Sequence, residues 1–375
     1  MLKQALIIFE TTEIQGNDWM VGDLRRGLQA DGFEVFHLHG CFQCIPHGGL
    51  KLKRLVNALF MLVLLPFVLL FRKRFDLVIV RSTPPLLHLP TALICKLLRI
   101  PCVFWLMDYH PEMEKRIWAG RVVLGQLIGL LDVWDRWALK TFASVVVLDD
   151  AMDACVQSRV EGLSTIVHPT WGQSSDVVVS RGAEPVGVER QGVCLAYVGN
   201  FGRGHVWDLM VQVIESLAAN QPVHILTIGI PEDVIADFQG LTRFSNVTLA
   251  VHPQLPFVEV VTLLQHEHVD YGCVAMRNEL VGCLSPSKFA SYIEAEIPIL
   301  YIGPEKTNTW KVCVDFDAGV WLPETPSAEQ YDNAITTLTA NRYQLQAQSA
   351  TLQAKTYFRS FNGETLAHMI TTSLN

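Results

Sequence analysis

Charged side chains are scarce in this chain, at 18% of its 375 residues, while half of the residues are hydrophobic. A basic excess is lacking as well. The formal net charge is −8, which excludes nucleic acid as the main partner, because phosphate backbones recruit basic surfaces. The shortage of cations falls on the second half: residues 186–375 carry 10 Lys/Arg against 19 Asp/Glu, whereas residues 1–185 carry 19 against 18. The two halves therefore meet different partners. A disulfide framework is also missing. The nine cysteines are odd in number and scattered, several of them (Cys102, Cys194, Cys273) inside apolar runs, which suits a reducing cytosol. No signal peptide is legible, since Ala5–Phe9 is too short for an h-region and meets Glu10 at once. These features predict a cytoplasmic protein. No solenoid repeat, no low-complexity tract and no GxGxxG opening a βαβ unit is present, so nicotinamide binding is unsupported.

What is present is alternation. Strand-length apolar runs at Ala5–Phe9, Phe33–Leu38, Leu77–Val80, Cys102–Leu106 and Ser144–Leu148 alternate with helix-length segments at Asp18–Ala30, 51–71, Leu87–Leu98 and Val122–Thr141. A second series follows at Val193–Val198, Val223–Ile228, Val247–Val251, Val269–Val274 and Ile299–Ile302. Such a pattern predicts an α/β protein of two Rossmann-like, doubly wound parallel sheets. The length also exceeds one ordinary core. The expected boundaries are residues 1–185 and 186–355, with 170–192 as a linker and 356–375 as a helix returning to the first domain.

Ligands of doubly wound sheets bind beyond the carboxyl ends of the strands, and two loops there carry chemistry. Gly199-Asn200-Phe201-Gly202-Arg203-Gly204-His205 follows the first strand of the second half. Its glycines allow close backbone approach, the next helix points free N–H groups at an anion, and Arg203 suits phosphate. The plainer alternative is a tight turn with a surface arginine. The second loop, Gly282 to Lys288, opens the helix Phe289–Ala295. Lys288 opposes the positive end of that helix dipole, a penalty that an anionic ligand reverses; an ordinary capped helix is again the plainer reading. Two cations in two loops of one sheet together favour a diphosphate clamp built from Gly199, Asn200, Gly202, Arg203, Ser287 and Lys288.

In these segments the chain resembles family 4 glycosyltransferases of the GT-B fold, in particular the bacterial surface-polysaccharide (WbuB-like) branch. The loop at 199–205 is similar to that branch's GNLGRAH, and Ser285-Pro286-Ser287-Lys288-Phe289 followed by Ile297–Pro304 to its VPSK…PVL.IGP. Trp105–Glu112 is similar to its DLYPE stretch, and Arg81-Ser82-Thr83-Pro84-Pro85 to its SPP turn. The resemblance runs in order over residues 75–305. It implies two domains facing a central cleft. It also implies retaining transfer from a nucleoside-diphosphate sugar, held by the second domain, to an acceptor held by the first. Arg203 and Lys288 would neutralise the departing diphosphate, and neither metal nor cofactor is then required. Many relatives carry two glutamates separated by seven residues; here Cys283 and Ser291 stand in their places, with Glu294 one helical turn beyond Ser291 as a substitute contact to donor sugar or ribose. Asp108, His110 and Glu112 are the candidates for acceptor deprotonation or hydrogen bonding, against a plain loop role. Gly16 is expected near acceptor or donor phosphate, and Gly229 and His252 near the base. A sugar-nucleotide epimerase of the same fold, or a non-catalytic homologue binding nucleotide or membrane, remain the alternatives.

One long apolar run stands apart. Leu55–Phe71 follows Lys51, Lys53 and Arg54 and precedes Arg72, Lys73 and Arg74, with no acid between Gly49 and Asp76. At 1.5 Å per residue its 17 residues cover ~25 Å, short of a ~30 Å bilayer core. It predicts a helix lying on the inner face of the cell membrane through 51–74, suited to a polyprenyl-linked acceptor; a buried core helix is the alternative. Two metal-like patterns are weaker. Asp315-Phe316-Asp317 precedes Gly319-Val320-Trp321, where the resembled family has a variable turn. Cys41-Phe42-Gln43-Cys44 with His37, His39 and His47 offers one zinc-binding edge without a second pair.

Overall fold

A computed structural model describes residues 2–11, 18–41, 44–45, 50–71, 74–117, 122–173, 192–199 and 204–374. The expected linker lies mostly outside the described residues. The chain divides into two compact units. Unit 1 comprises Met1–Pro169, Gly282–Ser285 and Ser360–Asn375; unit 2 comprises Thr170–Val281 and Pro286–Arg359.

Unit 1 begins with β1 (Lys3–Thr11), α1 (Trp19–Ala30), β2 (Phe33–Cys41) and α2 (Leu50–Phe71). It continues with β3 (Leu77–Arg81), α3 (His88–Leu98), β4 (Cys102–Trp105), α4 (Glu112–Ile117) and α5 (Val122–Leu139). β5 (Ser144–Val147), α6 (Asp150–Arg159) and β6 (Thr165–Val167) complete its sheet. All pairings are parallel, in the order β2-β1-β3-β4-β5-β6. β1, β3, β4 and β5 are buried almost throughout, as strands covered on both faces must be.

Unit 2 runs through β7 (Val193–Val198), α7 (Trp207–Ala218), β8 (Val223–Ile228), α8 (Glu232–Gln239) and β9 (Val247–His252). There follow α9 (Phe257–His266), β10 (Tyr271–Ala275), α10 (Phe289–Glu294), β11 (Ile299–Ile302) and α11 (Asn308–Val314). β12 (Gly319–Leu322), α12 (Ala328–Leu338) and α13 (Asn341–Arg359) close the unit. Its sheet is again fully parallel, ordered β12-β11-β10-β7-β8-β9. Both sheets are therefore doubly wound. Residues 319–321, expected as a turn, form edge strand β12 instead: Gly319 lies so close to β11 that an added Cβ would sit 2.1 Å from the Ile299 carbonyl oxygen.

The last helix, α14 (Gly363–Ser373), belongs to unit 1 and packs on α1 through glycine. A Cβ on Gly27 would lie 2.6 Å from the Gly363 carbonyl oxygen, and one on Gly363 2.2 Å from the Asp23 backbone. Thr371 adds a hydrogen bond to Asp31 at 2.8 Å. At its base the buried His168 ring contacts Thr365 Oγ1 at 3.3 Å. Burial pushes the pKa of His168 down to about 4. The unfolded chain then binds the proton that the folded one refuses, so stability is complete above about pH 6.5 and is lost as pH falls toward 4. A His168→Gln variant is expected to show a shallower decline of melting temperature over pH 6.5–4 than the wild type; parallel declines would disprove this role.

Helix α2 matches the helix-length segment expected at 51–71. It takes in the flanking lysines and carries Pro66 inside it, and Leu52–Phe71 is long and apolar enough to cross a bilayer by length and composition, with mean hydropathy 2.3. Packing within unit 1 constrains it. Asn57, Met61, Leu65 and Leu69, at four-residue spacing, are buried in a stripe facing the sheet. Asn57 lies over Gly40, whose missing Cβ makes the room, and donates to Glu10. Burial raises the Glu10 pKa and the Asn57 bond opposes it. The rest of α2 is not core: Phe60, Val63, Phe67 and Phe71 are 57%, 61%, 57% and 79% exposed. Leu130 and Val133 of α5 and Leu97 of α3 are exposed as well. An apolar surface of this kind marks an interaction site rather than a free monomer face.

Candidate functional site

The order of strand addition in unit 2 reverses between β7 and β10: the chain moves outward through β8 and β9, then crosses to β10. The crevice beyond the carboxyl ends of those two strands is where such sheets hold ligands. Lys288 stands there. Its ammonium lies 3.9 Å from the centroid of the Tyr197 ring at the end of β7 and donates to the tyrosyl oxygen. The Tyr197 hydroxyl also lies 2.9 Å from His205 Nδ1, which is 2.8 Å from the Ala275 carbonyl at the end of β10. Facing a carbonyl, Nδ1 is the protonated nitrogen. Burial, and next the Lys288 charge, push the His205 pKa down to about 3. Burial also holds the Lys288 ammonium well below its ordinary value, a cost that an anion beside it would remove.

The site is held from below by α10. Tyr292, four residues after Lys288, is fully buried; its hydroxyl accepts from Val198 N at 3.0 Å and reaches the Ala196 and Cys273 carbonyls at 3.1 and 3.2 Å. It therefore ties β7 to β10 at the switch. Gly272 makes this possible, since a Cβ there would meet the Tyr292 ring at 2.2 Å. Gly199 takes φ +78°, a conformation that favours glycine, and a Cβ added there would lie 3.9 Å from the Lys288 side chain.

The other sequence-derived candidates divide clearly. Asn200, Gly202 and Arg203 of the clamp, and Gly16, lie outside the described residues. Ser287 is exposed beside Lys288. Ser291 is buried and donates back to the Lys288 carbonyl at 3.2 Å. Glu294 does not offer a free carboxylate: it is buried against Arg359, which donates to it through Nε at 3.1 Å and through Nη2, with the Lys355 ammonium 3.8 Å away. Gly229 (φ +70°) and His252 end β8 and β9 and are joined by a backbone bond of 3.0 Å. Cys283, in one glutamate position, is fully buried in unit 1, where its carbonyl accepts from Tyr109 N at 2.7 Å.

In unit 1 the carboxyl ends of β3 and β4 carry the second cluster. The buried Ser82 hydroxyl accepts from Met107 N at 3.0 Å and from Asp108 N at 3.1 Å, holding the turn after β4. Asp108 forms a backbone bridge with Leu284 and is half-buried; its carboxylate has no hydrogen-bond partner among the described residues. His110 Nδ1 lies 2.5 Å from Glu114. Burial works to raise the Glu114 pKa, but the bond and charge of His110 bring it below the usual range. A carboxylate orienting an imidazole is the arrangement of a general base and its support. Glu112 is different: it is buried, accepts from Arg116 Nε at 3.0 Å and pairs with Arg159. Arg159 also binds Asp132 at 2.9 Å and Asp135 at 2.8 Å, and Asp135 accepts from Tyr109 at 3.1 Å. Glu112 thus belongs to the ion-pair network beneath the turn, while Asp108 and His110 remain the candidates for contact with substrate. Tyr197, His205 and Ser82 have no marked role in the sequence, because their partners lie at the ends of other strands.

No protein-family model and no curated protein matches the chain. Solved structures do match along its whole length. A sucrose-phosphate synthase from Thermosynechococcus elongatus is 13% identical with a TM-score of 0.62, covering 99% of this chain and 98% of its own. The Anabaena protein HepE, in complex with UDP, is 12% identical with a TM-score of 0.61, covering 100% and 99%. The lipopolysaccharide outer core galactosyltransferase WaaB is 12% identical with a TM-score of 0.56, covering 98% and 100%. At such identities the likeness is one of fold, and that fold is GT-B.

Proposed function

We propose that this chain is a glycosyltransferase that moves a sugar from a nucleoside-diphosphate sugar to a glycan acceptor. The observation that carries the proposal is Lys288, a cation with a lowered pKa seated at the switch point of unit 2. Burial disfavours the ammonium, whereas beside a diphosphate it stabilises the charge that develops as the sugar leaves. Arg203 supplies the second cation in the sequence. The likeness of fold to a UDP-bound protein and to a galactosyltransferase supports the same reading.

The finer reading follows from the sequence resemblance. Transfer retains the anomeric configuration and needs no metal ion, and the sugar is a hexose or N-acetylhexosamine. Asp108 or His110 hydrogen-bonds the attacking hydroxyl in unit 1. The acceptor is lipid-linked, within surface-polysaccharide synthesis, and α2 rests on the inner face of the cytoplasmic membrane. In support, each exposed Leu or Phe of α2 that enters lipid contributes about 1.5–3 kcal/mol, and the bracketing Lys and Arg residues favour anionic headgroups. Phe60→Glu/Val63→Glu is expected to reduce co-sedimentation with phosphatidylglycerol vesicles at least tenfold without changing the melting temperature. Unchanged sedimentation would remove the membrane from the account.

The donor reading is tested by thermal unfolding with UDP, GDP and dTDP. One nucleotide is expected to raise the melting temperature of wild type, as any ligand selective for the native state does, and to do much less for Lys288→Met. No shift with any nucleotide would overturn the assignment.

A further inference from the structure

The apolar surface of unit 1 contains a groove that a flat membrane contact does not explain. It has a volume of about 240 Å³, and every side chain lining it is apolar. Its walls include Leu55, Leu59 and Leu62 of α2, Pro85 and Leu87 of the β3–α3 loop, and Trp134 of α5. Leu55, Leu59, Leu62 and Trp134 are all more than 40% exposed, so the groove opens onto the same surface as the rest of α2. Leu86, also in the wall, is held at φ +67°. A left-handed leucine is strained, and such strain persists where the surroundings impose it.

One end of this groove is tied to the chemistry. Pro85 follows Ser82 by three residues, a separation of at most ~11 Å, and the Ser82 hydroxyl holds the backbone of Met107 and Asp108. A hydrocarbon chain lying in the groove therefore ends within reach of the candidate acceptor-activating residues. Bulk lipid has no reason to fill that position. A tail attached to an acceptor does, because its head must reach Asp108.

We propose that the groove between α2, the β3–α3 loop and α5 binds the head-proximal segment of the isoprenoid tail of a lipid-linked acceptor. The inference rests on the proposed transfer to such an acceptor and gives the tail a seat. The groove is smaller than the ~300–1,000 Å³ of sites that enclose whole ligands, so it takes a few isoprene units and leaves the remainder in the bilayer. Selectivity then lies in the shape of the groove, because apolar walls alone reward any hydrocarbon.

The test uses the full chain on phosphatidylglycerol vesicles containing a polyprenyl phosphate that carries a diazirine on its second isoprene unit. Adducts are mapped by mass spectrometry. Labelling is expected at Leu55, Ala58, Leu59 or Leu62 and within 83–90, and excess unlabelled polyprenyl phosphate should compete it away. Ala58→Trp, which fills the groove from α2, should reduce labelling at least tenfold while vesicle co-sedimentation stays within twofold. Equal labelling of these segments by a diazirine-bearing phosphatidylglycerol would show a general lipid surface and overturn the proposal. So would adducts confined to the outer residues Phe60, Val63 and Phe67, or labelling undiminished in Ala58→Trp. Nucleotide-induced thermal shift in the same preparation separates the two readings: if it persists while groove labelling fails, the tail site alone is wrong.

Discussion

Lys288→Met is expected to lower kcat/KM for the sugar nucleotide by about 10²–10³, the cost of removing one preorganised donor from a developing anion. Methionine keeps the apolar stem over Tyr197 and deletes only the charge. The loss should fall mainly on kcat, since diphosphate charge grows as the sugar leaves. A second signature follows from the lowered Lys288 pKa. The protonated form binds anions, so affinity is complete below the free-state pKa and declines as pH rises through it. At a pH near or above that pKa, binding should draw in a proton, and its calorimetric heat should depend on the ionisation enthalpy of the buffer. Lys288→Met should lose both dependences. Unaltered turnover in the variant would show that the ammonium stands away from the reacting diphosphate.

Arg159→Met is expected to destabilise unit 1 by about 3–5 kcal/mol, because it leaves buried carboxylates without their cation. Arg159 meets Glu112, Asp132 and Asp135, and its side chain is 5% exposed. At the scaling of a domain this size, the melting temperature should fall by roughly 6–20 °C. Reversible denaturation by urea checks the figure. A change below about 1 kcal/mol would mean that the carboxylates take up protons or water at little cost. Nucleotide affinity, which belongs to unit 2, should be unaffected wherever the variant remains folded.

These two residues differ in how far the sequence exposed them. Lys288 was legible as a cation opposing a helix dipole, in a half of the chain with few cations. Its seat on Tyr197 was not, because that contact spans 91 residues. Glu112 reads as a loop acid beside Asp108 and His110, yet it starts α4 and pairs with Arg159, 47 residues away. Spacing along a chain carries no record of such pairings. The same limit applies to Glu294, whose helical position was right and whose carboxylate is occupied by Arg359.

The fold was more open to reading than the site. Ten of the twelve strands lie in apolar runs with helices between them, and burial on both faces produces that signal. β6 has three residues, too few for a pattern, and β12 opens on Gly319, which resembles a turn residue although it serves close strand approach. Helix α2 was legible at 51–71, and the stripe from Asn57 to Leu69 anchors it through Pro66.

The central claim is transfer, and the most direct measurement is nucleotide release from UDP-, GDP- and dTDP-sugars with inner-membrane extract as acceptor. The account predicts release from one donor, dependent on the extract, with the sugar recovered in the glycan and the activity lost in Lys288→Met and Arg203→Ala. Release that is independent of acceptor, epimerised free nucleotide sugar, or tight nucleotide binding without any turnover would contradict it.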